Sequence, residues 1–359
     1  MSRFLNQKLT SLTPYTPGEQ PQDRKYIKLN TNESPYPPAP GVLRVINASA
    51  AQDLRLYSDP ELRPLKQAIA DFYGLAPAEV YVGNGSDECL NFACLEFGED
   101  WVAYPDISYG FYPVFAALHG LSAMEIPLRE DFRIAPEDYL NIKKERTGSG
   151  LDRMIVIANP NAPTGLTLSR AEIEAVLRAN LDHVVAVDEA YVDFGGESVV
   201  PLISEYDNLL VVQTFSKSRQ LAGARVGFAL GQEALIRDLE TIKYATNPYN
   251  VNRLSMAAAV EAMRDRAYFE ARCREIMETR AWTAAALTEL GFRVTDSRAN
   301  FLFAASDRIE GGELYRQLKE RGILIRHFTA PRISNYNRIT VGTPEEMQAL
   351  VDAIRLILE

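Results

Sequence analysis

Uninterrupted apolar runs only a few residues long punctuate the middle of the chain. They fall at residues 80–82, 101–104, 154–158, 183–187, 209–214 and 225–230. A strand covered on one face alternates apolar with polar positions, whereas a strand covered on both faces reads as a continuous apolar run. Between several of these runs the apolar residues recur at helical spacing, as over 65–73, 88–97 and 170–179. Short buried strands alternating with helices predict an α/β fold: a mostly parallel sheet with helices on both faces, binding its ligands at the carboxyl ends of the strands.

The two ends of the chain read differently. The first forty residues are rich in Pro, Asn and Thr, run to Asn32-Glu33-Ser34-Pro35-Tyr36-Pro37-Pro38, and lack either periodicity, which predicts an extended arm. After Asn252 the pattern is helical through Leu290. Smaller strand and helix pieces follow around 300–304, 322–327 and 338–341, and a last helix starts at Pro344. The expected division is an arm and part of a small domain over 1–45, a large domain over 46–250, and a small α/β domain over 251–359.

At 359 residues, with 47% hydrophobic and 24% charged content, the chain is long enough for one large core and a smaller one. A net charge of -10 argues against nucleic acid or an anionic membrane as partner, since polyanions are held by clustered Lys and Arg. The opening Met1-Ser2-Arg3-Phe4-Leu5-Asn6-Gln7 has no apolar leader segment, and no run of about 18 apolar residues occurs. The expectation is a cytoplasmic protein. Cys89, Cys94 and Cys273 fit neither a zinc ribbon nor a redox pair, and His119, His183 and His327 are scattered. No metal is expected, and the chemistry is expected from an organic cofactor.

Three segments carry that chemistry. Thr214-Phe215-Ser216-Lys217-Ser218-Arg219 leaves a buried strand through small residues with a lysine among them; taken alone, such a lysine is a Schiff-base nucleophile or a solvated surface charge. Val184-Val185-Ala186-Val187-Asp188-Glu189-Ala190-Tyr191 ends a buried strand in two acids and a tyrosine. An acid there needs a partner, because burying a carboxylate unpaired costs several kcal/mol. The pairing open to Asp188 is either a helix N-terminus or a protonated pyridine nitrogen. Gly83-Asn84-Gly85-Ser86-Asp87-Glu88, between strand and helix, is either a tight connection or an anion cradle of free N–H groups, to which Arg225 can add charge.

The ordered set Asn32-Glu33, Tyr57, Gly85-Ser86-Asp87-Glu88, Tyr109, Asn159-Pro160-Asn161-Ala162-Pro163-Thr164-Gly165, Asp188-Glu189-Ala190-Tyr191, Ser216-Lys217 and Arg225 resembles the fold-type I aminotransferases, enzymes of pyridoxal 5'-phosphate (PLP), over nearly the whole chain. Pro14-Tyr15, Pro248-Tyr249-Asn250-Val251-Asn252 and Arg338-Ile339-Thr340-Val341-Gly342-Thr343 are similar to the histidinol-phosphate aminotransferase branch. The resemblance implies that Lys217 holds PLP as an imine and shuttles the substrate proton. It implies that Tyr109 stacks on the ring, that Asp188 pairs with the ring nitrogen and that Tyr191 donates to the ring hydroxyl. The Gly85 turn with the backbone of Ser86 and Asp87, together with Ser216 and Arg225, holds the phosphate. Tyr57 reaches the cofactor phosphate of a neighbouring subunit, which implies a homodimer with shared sites.

One position departs from that pattern. The family has asparagine immediately before Pro-Thr-Gly, bonded to the ring hydroxyl, and this chain has Ala162. Asn161 takes over the contact, or Tyr191 bears it with water, or Asn161 is a turn residue. For the substrate, the resemblance assigns Arg338 to an anionic group, with Arg326 beside it; paired guanidinium groups suit a phosphate, although Arg326 also reads as a surface strand residue. Tyr15, Asn32 and Asn300 are further candidates for that pocket. The expected reaction is amino transfer between L-histidinol phosphate and 2-oxoglutarate, with an aromatic amino-acid aminotransferase or a threonine-phosphate decarboxylase as alternatives. A non-catalytic module has no physical need for Lys217, Asp188, Tyr191 and Arg225 together.

Overall fold

The computed structural model describes residues 4, 6, 9, 10, 12–140, 142 and 153–359, and of Arg153 the backbone alone. The segment Met1–Gln7 read for a leader lies largely outside the described residues.

Thirteen strands form among them: β1 (Ile27–Lys28), β2 (Val80–Gly83), β3 (Trp101–Pro105), β4 (Ser122–Ile126), β5 (Arg153–Ala158), β6 (Val184–Asp188), β7 (Leu209–Thr214), β8 (Gly227–Leu230), β9 (Phe292–Val294), β10 (Phe301–Ser306), β11 (Ile323–Leu324), β12 (Arg326–His327) and β13 (Tyr336–Thr340). Seven make the large sheet, in the order β2-β8-β7-β6-β5-β3-β4. The pairs from β7 to β4 are parallel, and β8 is antiparallel to both its neighbours.

The apolar runs have the cause expected of them. Ile155, Ile157, Val185, Val187 and Val211 enter a core on one face with Leu65 and Ile69 of helix Arg63–Tyr73 and Ile173 and Val176 of helix Arg170–Ala179. Their neighbours Met154, Val156, Ala186 and Val212 enter a second core on the other face. Leu90 and Ala93 of helix Ser86–Phe97 and Ile236 and Leu239 of helix Glu233–Thr246 meet them there. Each strand is thus apolar over several consecutive positions because both faces are covered. β4 escapes this rule: it is an edge strand with Ser122, Ala123 and Glu125 exposed, so no apolar run announces it.

The small sheet, β12-β13-β10-β9, is antiparallel and packs Leu302, Ala304 and Ile339 against Leu314 and Leu318 of helix Gly311–Glu320 and Met347, Leu350 and Ile354 of helix Pro344–Leu358. That last helix starts on a capping box in which Thr343 and Glu346 satisfy each other's N–H groups. The arm is not wholly extended coil. Ile27 and Lys28 pair in parallel with Ile323 and Leu324, and Leu29 sits in the small core. Helix Arg253–Arg264 packs Ala258, Ala259, Ala262 and Met263 into the first core of the large sheet, so residues on either side of 250 share one core. A third face closes under the ligand site, where Tyr191, Phe194 and Ala162 meet Phe301, Val341 and helix Arg266–Glu289 through Phe269 and Ile276. Among the described residues no helix is long and apolar enough to cross a membrane.

Candidate active site

The carboxyl ends of β5, β6 and β7 open onto a cavity of about 490 Å³ lined also by the arm at Asn30 to Glu33 and by Arg326 and Arg338 of the small sheet. Both lobes therefore contribute, at the end of a parallel sheet where side chains and loops converge.

Lys217 stands at its floor, just beyond β7. Its Nζ makes a long contact of 3.5 Å to the Thr31 carbonyl and lies 5.9 Å from the centre of the Tyr191 ring. Burial first, and then the charge of Arg338, lowers its pKa to about 8, against the opposing pull of Asp87 and Glu33. An amine so short of partners and so inclined to shed its proton is built as a nucleophile and base rather than as a surface charge.

Asp188, the last residue of β6, is only 5% exposed. Its Oδ2 accepts the hydroxyl of Tyr112 at 2.8 Å, and its Oδ1 accepts the Ala190 N–H at 3.2 Å, closing a local turn rather than capping a helix. Burial raises its pKa to about 6, with the Tyr112 bond acting against the rise. A carboxylate stripped of water is stabilised by a cation, and a protonated ring nitrogen would supply one. Tyr112 is the functional residue that the sequence reading missed. It begins helix Tyr112–His119, close after Tyr109, and its ring meets that of Tyr109 edge-on at 5.7 Å.

The anion cradle forms where β2 turns into helix Ser86–Phe97. Gly85 has φ +83°, and a Cβ on it would stand 2.5 Å from Nη2 of Arg225; a Cβ on Gly227 would stand 2.2 Å from the Ser86 nitrogen. Only glycines let these backbones come together and leave the first N–H groups of the helix facing outward. Arg225 reaches over them, donating to Ser216 Oγ at 3.3 Å and to Asp87 Oδ2 at 3.2 Å. The other oxygen of Asp87 accepts the Tyr109 hydroxyl at 2.8 Å, so its side chain as well as its backbone belongs to this end of the cavity. Tyr191 is buried on the opposite side with its hydroxyl accepting Asn32 Nδ2 at 2.9 Å; burial raises its pKa while Arg338 restrains the rise.

At the outer end, Arg326 and Arg338 stand directly opposite each other on β12 and β13. Arg338 donates to the Asn30 carbonyl at 3.1 Å, and its buried Nε has no partner. Arg326 reaches the Thr16 and Pro17 carbonyls at 3.3 and 3.4 Å. Tyr15 stacks on Phe111 at 4.3 Å and closes that side. Like charges directly opposed across a strand pair repel, and an anion between them turns the cost into a gain.

Other expected contacts are placed elsewhere. Asn161 does not replace the missing asparagine. Fully buried, it donates to the Ile107 carbonyl at 3.0 Å and Thr164 Oγ1 at 3.1 Å and accepts Ser108 Oγ at 2.7 Å, which satisfies its amide without the cavity; the wall position belongs to Ala162. Asn300 is not among the residues that line the cavity; it donates to the Asn32 carbonyl at 3.0 Å and so steadies Asn32. Tyr57 lies outside this chain's own cavity, 78% exposed.

A buried lysine, an acid at the end of the adjacent strand and a glycine-lined anion cradle on a doubly covered parallel sheet define a site for an aldehyde cofactor that carries a phosphate. Residues 24–354 match the family described as aminotransferase class I and II. The chain belongs to that family, whose members work through PLP. It is 48% identical to a histidinol-phosphate aminotransferase of Brachyspira hyodysenteriae, with 100% of each chain covered, and 50% identical to histidinol-phosphate aminotransferase 2 of Dechloromonas aromatica, with 99% of each covered. The crystal structure of histidinol-phosphate aminotransferase from Sinorhizobium meliloti in complex with pyridoxal-5'-phosphate superposes with a TM-score of 0.83 at 27% identity, covering 93% of this chain and 92% of that one.

Proposed function

We propose that this chain transfers the amino group of L-histidinol phosphate to 2-oxoglutarate. The observation that carries the choice of donor is the opposed pair Arg326 and Arg338, two guanidinium groups that hydrogen-bond only to backbone carbonyls among the described residues and line the same cavity as Lys217. A donor with a phosphate at one end and its amine at the other can meet the pair and Lys217 in that one cavity, and two forked guanidinium groups suit a phosphate.

When bound, PLP supplies an electron sink that makes the α-hydrogen of an amine acidic. The residues of the chain do the rest. Nζ of Lys217, with its lowered pKa, would take the proton from the donor α-carbon and return it to the carbon on the other side of the amine nitrogen. Asp188 keeps a proton on the ring nitrogen, and the Tyr112 hydroxyl keeps Asp188 oriented. Gly85, Ser86, Asp87, Ser216 and Arg225 hold the phosphate, and Tyr109 covers the ring. Tyr191, with Asn32 behind it, holds the ring hydroxyl, and Ala162 leaves that role to Tyr191. Arg326, Arg338 and Tyr15 fix the donor, and fixing both ends brings its α-carbon to Lys217 rather than leaving it to diffuse.

We also propose a homodimer in which Tyr57 serves the partner's cavity. Tyr57 stands exposed beside exposed Leu54, Leu56 and Tyr249, an apolar patch that suits a second copy. We propose that the enzyme works in the cytoplasm, where small water-soluble substrates are within its reach. We propose three parts, an arm with part of the small domain over 1–45, a large domain over 46–250 and a small domain over 251–359, with helix Arg253–Arg264 of the last packing into the core of the large one.

The deciding experiment presents the yellow holoenzyme with histidinol phosphate, phenylalanine, tyrosine and threonine phosphate in turn, following loss of the imine absorbance and identifying each product. Histidinol phosphate should convert the protein at far lower concentration than the aromatic amino acids, and threonine phosphate should release no carbon dioxide. Equal response to phenylalanine would shift the assignment to an aromatic aminotransferase. Borohydride reduction followed by peptide mapping should leave the label on Lys217; a label elsewhere overturns the cofactor assignment itself.

A further inference from the structure

A carboxylate stands beside the phosphate cradle, where simple electrostatics places no carboxylate. Glu88 Oε2 accepts the Asn84 N–H at 2.8 Å, Nδ2 of Asn250 at 2.5 Å and the Tyr81 hydroxyl at 3.4 Å. Asn250 is 3% exposed and also donates to the Val82 carbonyl at 3.1 Å. Its own carbonyl accepts Asn84 Nδ2 at 2.9 Å. The glycine turn at 83–85 is thus clasped from both sides by one carboxylate and one amide, neither of which lines the cavity.

The same segment reaches the other half of the cradle. Asn252 caps helix Arg253–Arg264 by accepting the Ser255 N–H at 2.9 Å, and Ser255 Oγ donates to the Ala224 carbonyl at 2.7 Å. Ala224 directly precedes Arg225, which is held at φ +54°, a backbone conformation costly for a residue with a side chain and persisting only where neighbours enforce it. Residues 250–255 therefore fix the glycine turn through Asn250 and the arginine turn through Ser255.

We propose that Asn250 and Glu88 are positioning residues for the phosphate of the cofactor: they set the geometry of the cradle, and hence its affinity for the phosphate ester, without touching it. Glu88 lowers affinity as a charge and raises it as a clasp, and the clasp outweighs the charge. The inference rests on the cradle holding the phosphate of PLP, as proposed above.

The test compares PLP with pyridoxal, which has the same aldehyde and ring but no phosphate, as ligands of the cofactor-free protein. Dissociation constants are read from imine absorbance for the wild type, N250A, E88A and E88Q, with the thermal midpoint recorded for each. In N250A and E88A the constant for PLP should rise by at least about ten-fold, the scale of one lost buried hydrogen-bond partner, while that for pyridoxal changes less than about two-fold. E88Q keeps an oxygen for the Asn84 N–H and should lie between the wild type and E88A. Unchanged or tighter PLP binding by E88A would mean that Glu88 acts only as a charge and would overturn the proposal. Equal weakening toward both ligands, with a lowered thermal midpoint, would reduce the clasp to general folding and overturn it also. Wild-type protein that takes up PLP no better than pyridoxal would overturn the reading of the cradle itself, and with it this inference; normal wild-type preference retained in every variant overturns the inference alone.

Discussion

Arg326 and Arg338 face each other across β12 and β13 as directly paired residues, and their hydrogen bonds run to backbone carbonyls of the arm. Replacing Arg338 by Met should lower kcat/KM for histidinol phosphate by about a hundred-fold, the upper range for a hydrogen bond between charged groups. Replacing Arg326 by Lys, which keeps the charge and loses the planar fork, should cost about ten-fold. Steady-state kinetics with the phosphorylated donor measure both, and unchanged constants in either variant would remove the pair from the substrate site.

The lowered pKa of Lys217 predicts how the cofactor-free protein captures PLP. Only the free amine attacks, and it is half populated near pH 8. The rate of PLP uptake should therefore climb about ten-fold per pH unit below that point and level off above it. Arg338 is among the causes of the lowering, so in R338M the midpoint should move upward. Stopped-flow absorbance against pH reads both quantities, and a midpoint that moved downward would contradict the electrostatic account.

Tyr112 acts through Asp188. Burial lifts the Asp188 pKa to about 6, and the hydroxyl bond from Tyr112 opposes the rise. Removing that hydroxyl raises the pKa further. Because the ionised carboxylate is the form that holds a protonated ring nitrogen, cofactor affinity is present above this pKa and falls as pH drops through it. In Y112F the acid limb of the affinity profile should shift upward by about one pH unit, the equivalent of one hydrogen bond. An acid limb in the same place as the wild type's would separate Tyr112 from Asp188.

Asn161 should behave as a folding residue. Asn161→Ala strands the buried Ile107 carbonyl and Ser108 hydroxyl, at a cost of about 2–4 kcal/mol in stability. The absorbance of the bound cofactor should keep its wild-type maximum. Denaturant unfolding alongside the spectrum tests this: full stability with an altered spectrum would restore Asn161 to the cofactor site.

What the sequence disclosed follows a physical division. The strands β5, β6 and β7 were legible because burial on both faces writes itself as consecutive apolar residues, and the residues that follow them, Asp188 and Lys217, were legible because acids and amines are costly there without a task. Edge strand β4 gave no such signature, since half of it meets water. Side-chain direction was the harder matter. Asn161 sits between two residues that line the cavity, yet it and Asn300 are engaged outside it, an orientation fixed by carbonyls elsewhere in the chain that no local pattern identifies. Tyr112 was overlooked because its task is to steady Asp188, 76 positions distant, and residues that act on other residues carry no motif of their own.

The parallel pairing of Ile27–Lys28 with Ile323–Leu324 makes the beginning of the polypeptide an integral part of its final third. The backbone just after this pairing supplies the Leu29 carbonyl to the Thr340 N–H and the Asn30 carbonyl to Arg338. A version shortened at the amino end past residue 28 would thus lose more than a dangling leader: it would unseat the Arg338 guanidinium, more than three hundred positions downstream.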